Sequence, residues 1–301
     1  MICGPTAAGK SPLALALAER FGATILSADS RQIYRGFDVG TAKPTAAERA
    51  RVPHRGVDLI EPVERWSAAA WADAAERWIA EAFAARRTPV VVGGTGFYVR
   101  ALTRPLFAEP PLDAERRRRL EGELASCTTG ELRARCEQLD PPRAALGRAQ
   151  LLRAISVATL TGTPLSEWHR GAARPARVRA RFLVVDPGPA LGERIVTRTG
   201  SMLSAGWERE VIALEQRVPD EAPAWNGTGY RVVRDLVRGK IAAAAATQRI
   251  IIETRQYAKR QRTWIRHQLP LHDVTLLDPS AHDALERASD WWLDGGGGRA
   301  A

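Results

Sequence analysis

The chain has 301 residues, 45% hydrophobic and 26% charged, enough to bury the core of one large domain or two modest ones. Its net charge of +10 is unusual and favours a polyanionic partner, either nucleic acid or an anionic membrane surface. No run of about 18 apolar residues exists to span a bilayer. The N-terminus lacks the pattern of a signal or transit peptide. The cysteines Cys3, Cys127 and Cys136 have neither zinc-ligand nor C-x-x-C spacing, so a reducing, cytoplasmic home without a membrane is expected.

In chain order, the first element is Gly4-Pro5-Thr6-Ala7-Ala8-Gly9-Lys10-Ser11, which fits the phosphate-cradling pattern G-x-x-x-x-G-K-[ST]. Glycines let successive N–H groups curl around an anion, and the helix that follows adds its positive end. Lys10 supplies a point charge, and the Ser11 hydroxyl suits Mg²⁺. Leu13 to Ala18 form the helix, and Phe21-Gly22 end it. Only Met1-Ile2-Cys3 precede the loop where a buried strand is normally found. Either that strand is very short, or the true start lies upstream.

Thr24 to Ala28 is a short buried strand that runs into the polar segment Asp29-Ser30-Arg31-Gln32. Gly40-Thr41-Ala42-Lys43-Pro44 is a small-residue turn carrying a cation, and Val57 to Ile60 is a candidate strand. From Trp66 to Phe83 the apolar spacing predicts a helix. Pro89 to Val92 is another buried strand, broken by Gly93-Gly94-Thr95-Gly96. Alternating strand and helix imply a parallel sheet covered on both faces, with ligands at the strands' carboxyl ends. The phosphate loop, Asp29 and Thr95 are therefore expected to line one cleft.

Character changes at Pro110-Pro111. Residues 113–173 are rich in Arg, Glu and Ala, with helices predicted from Glu115 and over Gln150–Leu160, which marks a small helical insertion. Phe182 to Asp186 return to the buried-strand pattern. The domains expected are a phosphate-loop core over 1–112 and 174–294, the insertion, and a disordered tail over 295–301. Beyond Asp186 the chain is helical as far as Leu269-Pro270. Gln248–His267 is a basic helix whose Arg255, Lys259, Arg262 and Arg266 share one stripe at about 100° per residue, opposite Ile250, Tyr257 and Trp264. Few carboxylates stand four residues away, so an external polyanion accounts for these cations better than a solvated face does. Gly229-Tyr230-Arg231 is expected as a loop whose aromatic and cation pack on a base or a phosphate, although a stabilising turn would also explain its glycine. Asp29 has three open roles: Mg²⁺ ligand, general base or helix cap.

These segments together resemble the tRNA dimethylallyltransferase (isopentenyl-diphosphate:tRNA transferase) family, bacterial type. The resemblance rests on the phosphate loop, Ser27 to Tyr34, Gly40 to Pro44, Val92 to Tyr98, Gly229 to Arg231 and Lys259 to Arg266, in the family's order. It implies an α/β fold of the P-loop NTPase type, with a parallel sheet flanked by helices and a helical insertion. It implies transfer of a dimethylallyl group from dimethylallyl diphosphate to the N6 amine of the adenosine 3′-adjacent to the anticodon, in tRNAs reading codons that begin with U.

The roles carried over are residue by residue. Asp29 would accept the amine proton, with Thr95 near the base and Lys10 at the leaving group. Gly4 to Ser11 would bind the diphosphate, and Ser11 would hold Mg²⁺. Ser30, Arg31, Gln32, Arg117, Gly229, Tyr230, Arg231, Lys259, Arg260, Arg262 and Arg266 would meet the tRNA anticodon stem-loop, with a monomer expected. One departure stands out. Where the family carries an Asp-Pro-Gln-Arg-Leu type of segment, this chain has Gly147-Arg148-Ala149-Gln150-Leu151. A small-molecule kinase would share the loop but leave the basic helix unexplained. An RNA-binding ATPase would leave the Asp29 and Thr95 cleft unexplained.

Overall fold

The computed structural model describes residues 1–104, 106–107, 110, 112–170, 173–174 and 176–294. The tail expected to be disordered, 295–301, lies outside the described residues. Two compact units emerge, Met1–Thr103 with Val178 onward, and Arg104–Arg177.

The first unit opens with β1 (Ile2–Cys3), two fully buried residues that launch the phosphate loop into α1 (Lys10–Phe21). Gly22 ends α1 in the left-handed region, as its sequence position predicts. Then come β2 (Ala23–Ala28), α2 (Ala46–Arg51), β3 (His54–Arg55), α3 (Ala68–Ala84), β4 (Thr88–Gly93) and α4 (Gly96–Thr103). Every residue of β2 is buried, which explains why its apolar run does not alternate. On α3, Trp71, Ala74, Ala75 and Ala82 face inward at helical spacing.

The second unit holds β5 (Leu106–Phe107), α5 (Ala114–Ala125), α6 (Thr129–Leu139), α7 (Arg148–Thr161), α8 (Leu165–Arg170) and β6 (Ala173–Arg174), the last antiparallel to β5. Its own core gathers Leu124, Leu132, Cys136, Leu151 and Ile155. The divergent 147–151 segment starts α7. Gln150 accepts from the Gly147 N–H at 3.0 Å, and Arg148 donates to the carbonyls of Ala125 and Cys127 at the end of α5.

The chain then returns to the first unit as β7 (Phe182–Val185), α9 (Leu191–Ser204), α10 (Trp207–Glu215), α11 (Tyr230–Val237), α12 (Ala243–Gln268), β8 (Val274–Leu277) and α13 (Ala284–Asp294). Six strands form one sheet in the order β3-β2-β4-β1-β7-β8, all parallel. The two-residue β1 is central: Ile2 pairs with Val92 on one side and Leu183 on the other. One core packs the sheet against α1 and α13 through Leu17, Ile25, Val90 and Trp292. A second gathers Phe37, Trp207, Trp225 and Tyr230.

Two expectations are corrected, and one strand is new. The strand over Val57–Ile60 is absent, because Asp58 sits at φ 55 with its carboxylate bonded to Lys43; β3 lies earlier, and only a single Tyr34–Ile60 bridge remains. β8 was not foreseen. Tyr230 is no loop residue: it opens α11 and is 0% exposed.

Candidate active site

The loops that leave the carboxyl ends of β1, β2 and β4 meet around a cavity of about 360 Å³. Residues 6–12 of the phosphate loop form one wall, Asp29 and Gln32 another, and Gly93 and Gly94 a third. Gly9 has φ 96 and precedes a helix that no side chain caps, so the first turn of α1 faces the cavity with its N–H groups and its dipole. Lys10 folds back to donate to the Pro5 carbonyl at 2.7 Å. Burial, and then the Arg198 guanidinium, lower its ammonium to about 8, while Asp29 pulls it back up. Ser11 lines the same cavity, exposed to it.

Asp29 follows β2 directly and accepts from the Arg31 N–H at 2.8 Å through one oxygen. It caps a turn rather than a helix, and among the described residues no hydrogen bond uses its second oxygen. Thr95 does not line the cavity. Its hydroxyl accepts from the Ser30 N–H at 3.1 Å and meets the Tyr257 hydroxyl, so it braces the Asp29 loop from behind. Gln32 is likewise committed, accepting from Ser27 and donating to the carbonyls of Thr41 and Ala42. Lys43 is buried against Asp38, Asp58 and the Tyr34 carbonyl, which fixes the 40–44 turn as a rim.

Two side chains that the sequence did not single out as site residues enter here. Arg198 of α9 lines the cavity, its guanidinium lowered by burial and held up by Asp29. Tyr257 of α12 also lines it, its phenol pushed up to about 12 by burial and by Asp29. The sequence did carry a signal for Arg198: it stands three residues from Ile195 and next to Thr199, on the buried stripe of an amphipathic helix where a cation is out of place. Arg198, Tyr257, Asp29 and Thr6 also line an adjoining hollow of about 70 Å³ that reaches Arg31 and Trp207.

The basic helix is longer than expected, and its ridge is corrected. Arg255, Lys259 and Arg266 are exposed and make no ion pair among the described residues. Arg262 turns inward instead, donating to both Asp186 oxygens and to the Gly188 carbonyl. Arg260 lies over the Tyr257 ring at 5.8 Å. Tyr230 donates to Glu210 at 2.6 Å and packs on Phe37, so it does not offer a face to a base. Arg231 stays exposed beside Asn226, and Arg117 is exposed on α5 with Glu121 as its partner.

A parallel sheet whose central strand feeds an open, anion-facing helix start defines a phosphate-loop α/β protein. The family profile described as IPP transferase matches residues 32–268, and one described as isopentenyl transferase matches residues 1–54. Curated proteins named tRNA dimethylallyltransferase are similar throughout. That of an Anaeromyxobacter species is 44% identical, covering 89% of this chain and 91% of its own. That of Deinococcus radiodurans is 39% identical, covering 96% and 95%. Among solved structures, the tRNA isopentenylpyrophosphate transferase of Bacillus halodurans superposes with a TM-score of 0.68 at 30% identity, covering 98% of this chain and 94% of its own. A eukaryotic dimethylallyltransferase acting on tRNA shares the fold with a TM-score of 0.82 at 24% identity, covering 98% and 79%. The chain belongs to the IPP transferase family.

Proposed function

We propose that this protein transfers a dimethylallyl group from dimethylallyl diphosphate to the N6 amine of the adenosine 3′-adjacent to the anticodon, in tRNAs reading codons that begin with U. The observation that carries the reading is that one cavity joins an anion-facing helix start to a carboxylate with a free oxygen. The leaving group needs the first, and a weakly nucleophilic amine needs the second. A diphosphate seated on the phosphate loop would be met by the dipole of α1, by Lys10 and by Arg198. As the allylic C–O bond breaks, its electron pair stays with the diphosphate, and these cations stabilise the charge that builds there. The N6–C bond forms as Asp29 takes the amine proton, giving N6-(dimethylallyl)adenosine and free diphosphate.

No group of three His, Cys, Asp or Glu that would hold a metal by itself occurs among the described residues. The Ser11 hydroxyl, exposed on the cavity wall, does fit Mg²⁺, which is commonly held by one or two protein oxygens together with phosphate oxygens and water. Bound there, it would supply further charge neutralisation at the leaving group. The exposed Lys259, Arg260, Arg266, Arg231 and Arg117 suit a tRNA backbone, and the target adenine leaves its stack to enter the cavity. No described helix is long and apolar enough to cross a membrane, and the reading places one copy of the chain in the cytoplasm.

Incubation with dimethylallyl diphosphate, Mg²⁺ and unmodified tRNA, followed by nucleoside mass analysis, tests this. One added C5H8 unit on adenosine is expected. Phosphate moved from ATP to a small acceptor, with tRNA unchanged, would replace the reading with a kinase.

A further inference from the structure

Gln261 is a buried polar side chain, 7% exposed, on a helix whose outer face is strongly basic. Both polar atoms of its carboxamide bond to backbone. Oε1 accepts from the Thr6 N–H at 2.7 Å, and Nε2 donates to the Gly94 carbonyl at 3.0 Å. One partner is a donor and the other an acceptor, so a single orientation of the amide satisfies both.

Thr6 and Gly94 belong to the loops that leave β1 and β4, the two neighbouring strands at the centre of the sheet. Their ladder stops at the Cys3–Gly93 pair, because β1 is only two residues long. Beyond that rung no backbone bond among the described residues sets how far the phosphate loop stands from the 94–96 turn. Gln261 supplies a rung made by a side chain. The approach is close: a Cβ on Gly94 would lie 2.2 Å from Nε2. The same face of α12 carries Tyr257, one turn earlier, to the Thr95 hydroxyl, and Trp264, about one turn later, against Gly96.

We propose that Gln261 is a positioning residue for the transfer: by bonding Thr6 and Gly94 at once, it sets the separation between the diphosphate cradle and the wall braced by Thr95 that carries Asp29. This rests on the transferase reading above. Attack on the allylic carbon requires the amine and the leaving group in line, and a displacement of about 1 Å between the two walls costs on the order of 10² in rate. Each wall keeps its own ligand contacts, so binding of either substrate alone changes little. The split between turnover and binding is the signature.

Gln261→Met keeps the length and removes both bonds. Gln261→Asn keeps the amide but is one methylene too short to span both partners. Three quantities are compared with wild type: kcat for transfer to tRNA, the Kd of inorganic pyrophosphate, and the Kd of unmodified tRNA, all well below each variant's melting temperature. Both variants are expected to lose about 10- to 100-fold in kcat while both Kd values stay within about threefold. A role in stability alone predicts lowered melting with kcat per folded molecule intact, and that result would overturn the proposal. So would wild-type turnover in Gln261→Asn, or a loss confined to pyrophosphate affinity. If Gln261→Met does not fold, Gln261→Asn decides. Wild-type protein that binds pyrophosphate but leaves tRNA unmodified would sink the transferase reading itself, and the proposal with it.

Discussion

Two places in this molecule share a local design and differ in every consequence. Gly9 and Gly229 both sit in the left-handed region, at φ 96 and φ 85, and both precede a helix that no side chain caps. After Gly9 comes Lys10 and a cavity of about 360 Å³. After Gly229 comes Tyr230, sealed at 0% exposure among Phe37, Trp225 and Trp207, with its hydroxyl on Glu210. A Cβ at Gly229 would lie 2.5 Å from the Trp207 indole, so that glycine exists for packing. A glycine followed by a helix start is an anion site only where the volume in front of it is left empty. At α1 that volume is about 360 Å³; beside α11 the aromatic rings leave a hollow of only about 70 Å³, lined by Trp207, Gly227 and Thr228.

The largest effect is expected on the open side of this comparison. Asp29→Asn keeps the acceptor that receives the Arg31 N–H, so the turn and the fold should survive. The amide cannot take a proton, and turnover should fall by about 10²–10⁴ with tRNA binding retained. Transfer close to wild type would reduce Asp29 to a turn former.

The filled side should answer in stability. Tyr230→Ala removes a fully buried ring and is expected to cost about 3–5 kcal/mol, read by chemical denaturation. Tyr230→Phe keeps the packing and loses the hydroxyl's bonds to Glu210 and to the Gly40 N–H, about 1–2 kcal/mol. In both, tRNA affinity per folded molecule should hold. A Tyr230→Phe protein that melts normally yet binds tRNA poorly would break the comparison and return the residue to the tRNA-facing role its sequence first suggested.

Lys10 joins function and stability. Its ammonium, lowered to about 8 by burial and by Arg198, is charged in the folded protein below that pH. Pyrophosphate affinity of the free protein should therefore decline as pH rises through about 8, and Lys10→Met should lose about 10- to 100-fold at pH 7. The stability consequence has the opposite sign. Between about 8 and 10.5 the unfolded chain holds a proton that the folded one does not, so this group's contribution to stability rises with pH there. Below about 8 its cost is complete. Unliganded Lys10→Met should accordingly be more stable than wild type at pH 7, with the gap closing toward pH 10.5. Equal melting at both pH values would mean that the ammonium is not buried at all.

The same contrast explains what could be read from the sequence. The phosphate loop, β2, β4 and α3 were legible because each is specified locally, by glycines before Lys10-Ser11, by unbroken apolar runs, or by inward residues at helical spacing. The parallel sheet followed from those segments, and the family resemblance from the phosphate loop, Ser27 to Tyr34 and Val92 to Tyr98 together with Gly40 to Pro44, Gly229 to Arg231 and Lys259 to Arg266. The burial of Tyr230 is not legible locally because most of its partners, Phe37, Trp207 and Glu210, come from distant parts of the chain, and no local pattern records them. Arg262 was misjudged for the same reason, since Asp186 lies far up the chain. β8 escaped because it is a short edge strand, half polar in its surroundings: Thr275 and Leu276 point to solvent while Leu277 is buried. Arg198 hid behind the habit of reading arginines as surface charge.

The smallest effect separates the cations on α12. Each exposed cation that neutralises a phosphate releases a condensed counterion, so its loss should lower the slope of log affinity against log salt by about 0.7–0.9. Arg255→Ala, Lys259→Ala and Arg266→Ala are expected to do this one at a time, with melting temperatures unchanged. Arg262 carries the same formal charge but is engaged with Asp186 and the Gly188 carbonyl. Its removal leaves the Asp186 carboxylate half-buried without its partner, so Arg262→Ala should lower stability and leave the salt slope nearly where it was. Isothermal binding to unmodified tRNA at several salt concentrations, paired with melting curves, decides it. If Arg262→Ala reduces the slope as much as its exposed neighbours do, the pair with Asp186 opens when tRNA binds, and the ridge regains its fourth member.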